Sequence, residues 1–514
     1  MLTFVLRRTL ATIVVLLIAS FVVYQLTANS GDPLEQLRGS RDPDAQQKMA
    51  DLSRRLDLDT PPLLRYFKWL GGAAGCLIGR CDLGISVSRG DQPVINAIGT
   101  AAASTLQLVT LATILAILVG VAIGMTTALR QYSGYDYTVT LFAFIFYSLP
   151  IFWVAVLLKE YGAIRFNQFL SNPEFPWWFI LIATLGLGFI GSAVVGGEIR
   201  TRLRSFALVG GATAAFLIFL QVTQWLASPS LGIIGVVVLS VLIAAIVVVL
   251  STGVTNRRAL LTAGIMIAAA AALWYPFQFL FFYLKNPLSI VIALVVLVGI
   301  GLIAGFFTGG DDKRIMMRVG VLIGGLQLLP FILDQMLLRW DDYLRLIPLS
   351  NGVISTIGAT TPSLARVDDM WMHFLDSSAH LVLPTIALMI ISVAGYTRYA
   401  RASLLEVLNQ DYIRTARAKG LTERTVVMRH AFRNAMIPIA TIVAVDIGAV
   451  IGGAVITEQV FAWQGMGQLF TQGLRAVDVN LVMGFFLVTG VLTVVFNVVA
   501  DLLYSALDPR IRVS

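Results

Sequence analysis

Asp446 is the residue whose type and position most invite chemistry. It falls near the middle of an apolar run from about 436 to 457, where an ionisable group is expensive to desolvate and is a functional candidate by default. Two readings are open from sequence: a carboxylate lining a pathway and attracting a cationic group, or one hydrogen-bonded inside a helix bundle. Other reactive side chains are sparse. The three histidines, His373, His380 and His430, and the two cysteines, Cys76 and Cys81, have no metal-ligand spacing, so no metal site is expected. Cys76 and Cys81 stand close together in a polar segment, where oxidising conditions outside a membrane would permit a small disulfide loop. Two free thiols are the alternative, because spacing alone does not set disulfide geometry. The chain also contains no Gly-x-x-x-x-Gly-Lys-Ser/Thr phosphate loop, so it is not expected to supply the usual ATP site itself.

The elements that position these residues belong in lipid. Of 514 residues, 57% are hydrophobic and 13% charged, with a mean hydropathy of +0.83, whereas soluble domains are about 25% charged. This composition excludes a soluble domain, a disordered regulator, a secreted disulfide scaffold and a DNA-binding protein. The net charge of +8, from 37 Lys and Arg against 29 Asp and Glu, is read as the positive bias of cytoplasmic loops.

Apolar runs predict twelve transmembrane helices, at about 10 to 26, 105 to 128, 138 to 158, 177 to 196, 206 to 227, 231 to 251, 259 to 283, 288 to 307, 316 to 338, 380 to 397, 436 to 457 and 479 to 503. Arg7 and Arg8 precede the first, which is read as an uncleaved helix entering from the cytoplasm. Residues 28 to 100 carry nine basic and nine acidic residues and suit an extracytoplasmic segment. Arg200, Arg202 and Arg204, then Arg257 and Arg258, then Lys313, Arg314 and Arg318 fall on alternate connections, which are assigned to the cytoplasm. Asp334 and Glu198 sit near helix ends, and no internal repeat is evident. The fold class is therefore all-α and polytopic, with both termini cytoplasmic.

The stretch 398 to 433 holds eight basic and three acidic residues. Its pattern predicts two short amphipathic helices broken at Gly420, a helix-stop residue, with Thr422 capping the second. Val426, Val427, Ala431 and Phe432 alternate with Arg424, Arg429 and Arg433. On physics alone this is a docking face or a basic loop attracted to anionic lipid.

A resemblance adds to this. The segment Asp411 to Pro438, with Asp411-Tyr-Ile-Arg-Thr-Ala-Arg-Ala-Lys-Gly420 at its start, closely resembles the coupling loop of ABC-importer permeases of the dipeptide and oligopeptide family. The likeness continues through Gly448, Gly452-Gly453, Glu458, Phe461, Gly465 and Gly467 to Asp501-Leu-Leu-Tyr-Ser-Ala-Leu-Asp508-Pro-Arg510. Arg7-Arg8, Gly31-Asp32-Pro33, Trp69-Leu-Gly71, Asp82-Leu-Gly84 and Ser148-Leu-Pro150 resemble the family's first half. It covers roughly residues 1 to 165 and 370 to 514. Three departures stand out. About 200 residues with six helices are inserted into the usual six-span pattern, Thr415-Ala416-Arg417 replaces Glu-Ala-Ala, and Gln464 stands where a turn proline is usual. An even number of inserted helices keeps the later loop cytoplasmic.

The resemblance implies a permease subunit, not an enzyme, of an ATP-driven, binding-protein-dependent importer, for di- or oligopeptides, in the cytoplasmic (inner) membrane. It implies partners: a second permease forming a heterodimer, two ATPase subunits holding ATP and Mg, and an extracytoplasmic substrate-binding protein. Lipid is expected around it, nucleic acid is not, and no cofactor is expected on this chain. The expected layout is a first helix at 1–28, an extracytoplasmic segment at 29–103, core helices at 104–165, an insertion at 166–345, an external loop at 346–379 and a second core half at 380–514 with the coupling loop at 401–435.

Within the coupling loop the expected contacts are Arg414, Thr415, Ala416, Arg417, Ala418, Lys419 and Gly420. The small residues would admit a close backbone approach, and Arg414 and Lys419 would pair with acidic groups. An ordinary helix-turn-helix surface is the alternative. Glu458, Phe461, Gly465 and Gly467 are expected in an external turn toward the binding protein, with Gly448, Gly452 and Gly453 as a packing seam. The family tends to have a polar amide where Asp446 stands, so a cavity-facing carboxylate receiving a cationic substrate group is one expectation, beside the bundle reading. A secondary transporter is the competing class. It predicts paired intramembrane charges in two related halves, and Asp446 is largely alone.

Overall fold

The structure, a computed structural model, describes residues 2–39, 44–347 and 352–507. Long apolar runs become helices because lipid leaves backbone N–H and C=O groups no partner except within the segment. The first is α1 (Leu2–Ala28). The polar stretch after it folds into α2 (Glu35–Arg38), α3 (Ala45–Arg55), α4 (Pro62–Ala74) and a minimal hairpin of β1 (Ile85–Ser86) and β2 (Gln92–Pro93), antiparallel, with Ile85 opposite Pro93. Cys76 and Cys81 follow α4 and are joined in a disulfide.

Then come α5 (Val94–Leu129), α6 (Gly134–Ser148), α7 (Ile151–Leu157) and, through a π-helical turn at Leu158–Ile164, α8 (Arg165–Ser171). Next come α9 (Trp177–Val195), α10 (Ile199–Thr223), α11 (Gly232–Ser251), α12 (Arg257–Tyr283), α13 (Leu288–Thr308) and α14 (Lys313–Leu337). After α15 (Trp340–Leu346) follow α16 (Met370–Leu408), α17 (Asp411–Ala418), α18 (Glu423–Thr425), α19 (Phe432–Gly453), α20 (Val455–Val460), α21 (Met466–Arg475) and α22 (Val479–Leu507).

By length and apolarity ten helices among the described residues can cross a membrane, or eleven with one bent pair, against the twelve expected. The bent pair is α6 with α7–α8, turned by 101°. Pro150 lacks an N–H and drives Leu149 out of the helical region, to φ −77° and ψ 132°. The remaining expected span is α19. Pro276, by contrast, sits inside a continuous α12. α16 begins after Asp369, whose carboxylate caps it by accepting the N–H groups of Trp371 (2.8 Å) and Met372 (3.3 Å).

Small residues decide which helices meet. α5 and α16 run parallel and touch along Gly120 and Gly124, where an added Cβ would lie 2.8 Å from that of Tyr396 and 2.7 Å from that of Ala400. α13 and α14 meet backbone to backbone at Gly301, Gly305, Gly320 and Gly324. α11 to α14 form one four-helix unit around buried Met266, Leu297, Met316 and Ile323. α9 and α10 pair with each other, largely exposed to lipid, and lean on α6.

Contacts also sort the connections into two ends. At one end Arg130 donates to the carbonyl of Val194, Arg258 to that of Gly309 (2.9 Å) and Arg424 to that of Leu250 (2.5 Å). At the other, Asn167 exchanges two 2.9 Å hydrogen bonds with Ile354, Ser228 meets Asp341, and Ser86 meets Asp478. These groupings match the alternation read from loop charge. Asp508-Pro509-Arg510 lie outside the described residues, as do the surroundings of Gly448, Gly452 and Gly453.

Candidate functional site

The basic loop is built as two short helices on a buried footing. α17 turns Ile413, fully buried, and Ala416, 7% exposed, into a cluster with Ala128, Leu404, Val426, Ala431 and Ala435. The chain then reverses at Gly420, whose φ of +77° favours a residue without a Cβ. The Thr422 hydroxyl accepts the Thr425 N–H (3.4 Å) as the expected cap. Arg417 clasps Glu423 across the turn with both nitrogens, at 3.1 and 2.7 Å. That guanidinium holds the Glu423 carboxyl below the usual carboxylate range.

The outcome for the expected contact residues is mixed. Arg414, Thr415, Arg417, Ala418, Lys419 and Gly420 are exposed and form a basic tip. Ala416 faces inward, so it anchors the helix instead of offering a surface. Val426, Val427 and Ala431 are likewise buried in this chain; they lie on a π-helical turn, Val426–Ala431, whose i to i+5 spacing places Val426 and Ala431 on one side.

A further anchor was not anticipated from sequence. Asp136, at the start of α6, receives two hydrogen bonds from Arg401 of α16, at 2.7 and 2.9 Å, with its side chain 3% exposed. This bidentate pair clamps α6 to the helix that leads into the loop. Its sequence signal was only an Asp in a first helical turn after Ser133, separated from Arg401 by 265 positions.

At the opposite end the turn after α19 is organised from within. Glu458 has no exposed surface and accepts hydrogen bonds from the Thr105 hydroxyl (2.6 Å), the Gly467 N–H (2.6 Å) and the Gln468 N–H (3.1 Å). Phe461 and Trp463 are buried, Trp463 Nε1 donates to Ser104 O (3.2 Å), and Lys159 donates to Val460 O (3.0 Å). Lys159, in the π-helical turn after α7, thus ties that turn to this one. A Cβ at Gly465 would lie 2.5 Å from Thr105 Oγ1 and closer still to Glu458 Oε1. The turn closes with Gln464 in the place of proline. Glu458, Phe461, Gly465 and Gly467 therefore shape this turn from its interior.

Asp446 lies on α19, partly exposed, with buried Tyr396 of α16 as its polar neighbour. The carboxylate has a neighbour within the bundle and is not fully enclosed by this chain. His380 Nδ1 and His373 Nε2 bond the carbonyls of Asp376 (2.8 Å) and Val367 (2.7 Å). Among the described residues no three of His, Cys, Asp or Glu converge as a metal site.

Comparison with known proteins names this arrangement. The family described as binding-protein-dependent transport system inner membrane component matches residues 317–513, and the N-terminal part of such membrane components matches residues 1–109. The chain is 41% identical over 157 residues to the oligopeptide transport system permease protein OppB of Mycobacterium tuberculosis, covering 30% of this chain and 48% of the relative. It is 46% identical over 140 residues to the oligopeptide permease protein AppB of Bacillus subtilis (27% and 44%). It is 44% identical over 140 residues to the dipeptide permease protein DppB of Escherichia coli (27% and 41%). The chain spans about half the length of the curated relatives it matches or less, and the two family matches leave residues 110–316 between them. The basic tip, the glycine-closed turn and the multi-pass helical body are all present, and the chain is similar at both its N-terminal and its C-terminal part to the inner membrane components of binding-protein-dependent transport systems.

Proposed function

We propose that this chain is the permease subunit of an ATP-driven importer of di- or oligopeptides, forming half of the translocation pathway with a second permease. Two ATPase subunits bind ATP and Mg and engage the basic tip, and an extracytoplasmic binding protein delivers substrate at the Glu458 end. In this reading both termini and the tip are cytoplasmic, the chain crosses the membrane twelve times, and the disulfide segment is outside.

The single observation that carries the reading is the construction of the tip. Arg414, Arg417, Lys419 and Gly420 are exposed while Ile413, Ala416 and Val426 anchor the same segment in the core. A force applied at such a tip moves α16 as well as the loop. ATPase closure can therefore bias α16 and α19 between outward and inward arrangements, a rigid-body change in which each state is favoured by a different ligand. Asp446, between these two helices, is suited to hold a peptide amino terminus or a basic side chain by charge.

The experiment is purification of the tagged chain from native membranes, with subunit identification and an ATPase assay, alongside Gly420→Val. Co-purified ATPase subunits, with coupling or assembly lost in the variant, are the expected result. A chain recovered alone, transporting on an ion gradient, would overturn it. For substrate, Asp446→Asn is expected to weaken uptake of cationic peptides selectively; equal loss for neutral ones would remove Asp446 from recognition.

A further inference from the structure

The insertion touches the core at both ends of α16, and the contacts form a continuous chain. At the tip end, the Arg424 guanidinium donates to the carbonyl of Leu250 at 2.5 Å, in the last turn of α11. Helix ends leave carbonyls unpaired and carry partial negative charge. Here the Gly253 N–H turns back to Val248 (2.8 Å), so the Leu250 oxygen is open to a cation from outside the helix. At the other end of α11, the Gly232 N–H donates to Asp334 of α14 (2.9 Å).

Asp334 was read from sequence as a residue near a helix end without a role. It is 1% exposed and also receives Trp274 Nε1 (3.0 Å) and Gln278 Nε2 (2.8 Å), both from α12. Gln278 then accepts from Gln335 Nε2 (2.5 Å), Gln335 accepts from Arg339 (3.0 Å), and Arg339 pairs with Asp369 (3.4 Å), the cap of α16. Beside that pair, Trp371 of α16 packs edge-on against Phe281 of α12, with ring centroids 5.0 Å apart. The path runs from the loop, up α11, across the Asp334 network, and into the start of the helix whose far end carries the loop.

We infer that the four-helix unit α11–α14 is a brace that sets the position of the coupling loop relative to the opposite end of α16, and that Arg424 is its positioning residue. The inference rests on the coupling role proposed for the tip. The brace has physical content because its parts are stiff: α13 and α14 touch backbone to backbone, and every buried carboxylate oxygen of Asp334 is bonded. A close-packed unit of this kind transmits displacement instead of absorbing it. When the loop moves under an ATPase, the Arg424–Leu250 contact is either kept, carrying the insertion along, or broken, at a defined energetic step.

The test uses the complete complex in lipid nanodiscs and reads substrate transported per ATP hydrolysed, with ATPase KM and kcat recorded separately. Arg424→Met is expected to lower the transport-to-ATP ratio at least three-fold with subunit composition unchanged, and Arg424→Lys, which can still donate to a carbonyl, to restore most of it. Arg339→Met, at the far end of the brace, is expected to lower the same ratio, and the two substitutions together to do little more than either alone. An unchanged ratio in Arg424→Met, or loss of ATPase subunits from that variant, would overturn the inference; the second outcome would make Arg424 a direct partner contact. Strictly additive effects of the two substitutions would also overturn it. If the wild-type chain yields no ATPase complex at all, it is the coupling reading that fails.

Discussion

Replacing Arg401 with Met should destabilise this chain far more than replacing its partner Asp136 with Asn, although both changes remove the same ion pair. Arg401→Met deletes two charge-assisted hydrogen bonds, at 2.7 and 2.9 Å. The carboxylate left behind is 3% exposed and keeps the Tyr132 N–H at 3.1 Å and a long contact to the Thr140 hydroxyl at 3.5 Å. An uncompensated buried charge of this kind costs about 3–5 kcal/mol. Asp136→Asn leaves Arg401, whose side chain is 29% exposed and can turn toward water, while the amide keeps a carbonyl acceptor; its loss is about 1–2 kcal/mol. The double variant should fall short of the sum by about 1–3 kcal/mol, the range for residues in direct contact. The assay is equilibrium unfolding of all four proteins in mixed lipid–detergent micelles, paired with hydrogen exchange over residues 411 to 431. Equal losses in the two single variants, or strict additivity, would refute the assignment of a buried clamp.

Gly465→Ala would drive a methyl group against Glu458 and Thr105 inside a closed turn, and overpacking of this kind is expected to cost about 1–3 kcal/mol; unchanged thermal unfolding would contradict the placement of that turn. The Arg417–Glu423 pair depresses the folded-state ionisation of Glu423, so its contribution is present above the unfolded-state carboxylate pKa and fades as pH falls through the lower folded value. Because the two side chains are 43% and 60% exposed, the effect is at most about 0.2–1 kcal/mol, visible as faster amide exchange near Gly420 in acid, and absent in Glu423→Gln. Reducing Cys76–Cys81, which closes a loop of separation 5, should weaken the segment by about 2 kcal/mol. An impermeant thiol reagent should label intact cells only after reduction; labelling confined to opened cells would place that segment on the other face.

Helix type and place were legible because membrane spans depend on length and apolarity, which are local. Gly420 and Thr422 declared the loop's turn by backbone preference, also a local property. The side-by-side seam of Gly120 and Gly124 was not legible, since a glycine within an apolar run looks alike whether it faces a helix or lipid. Nor was the inward rotation of Ala416: a period of 3.6 tells which residues share a face, but not whether the core or a partner covers it.

The sequence by itself determined that this chain lives in a membrane, that its connections alternate in charge, and that a basic loop and a glycine-rich turn follow the permease pattern. Only the tertiary structure decided that Asp136 meets Arg401, that Glu458 is the hub of a closed turn, that the two cysteines are joined, and that Asp334 and Arg424 tie the insertion to both ends of α16. Each of these pairs distant charges or donors with buried acceptors. Such pairing is set by the cost of leaving a polar group unsatisfied in a medium without water, a demand that is met in space and leaves no regular spacing along the chain.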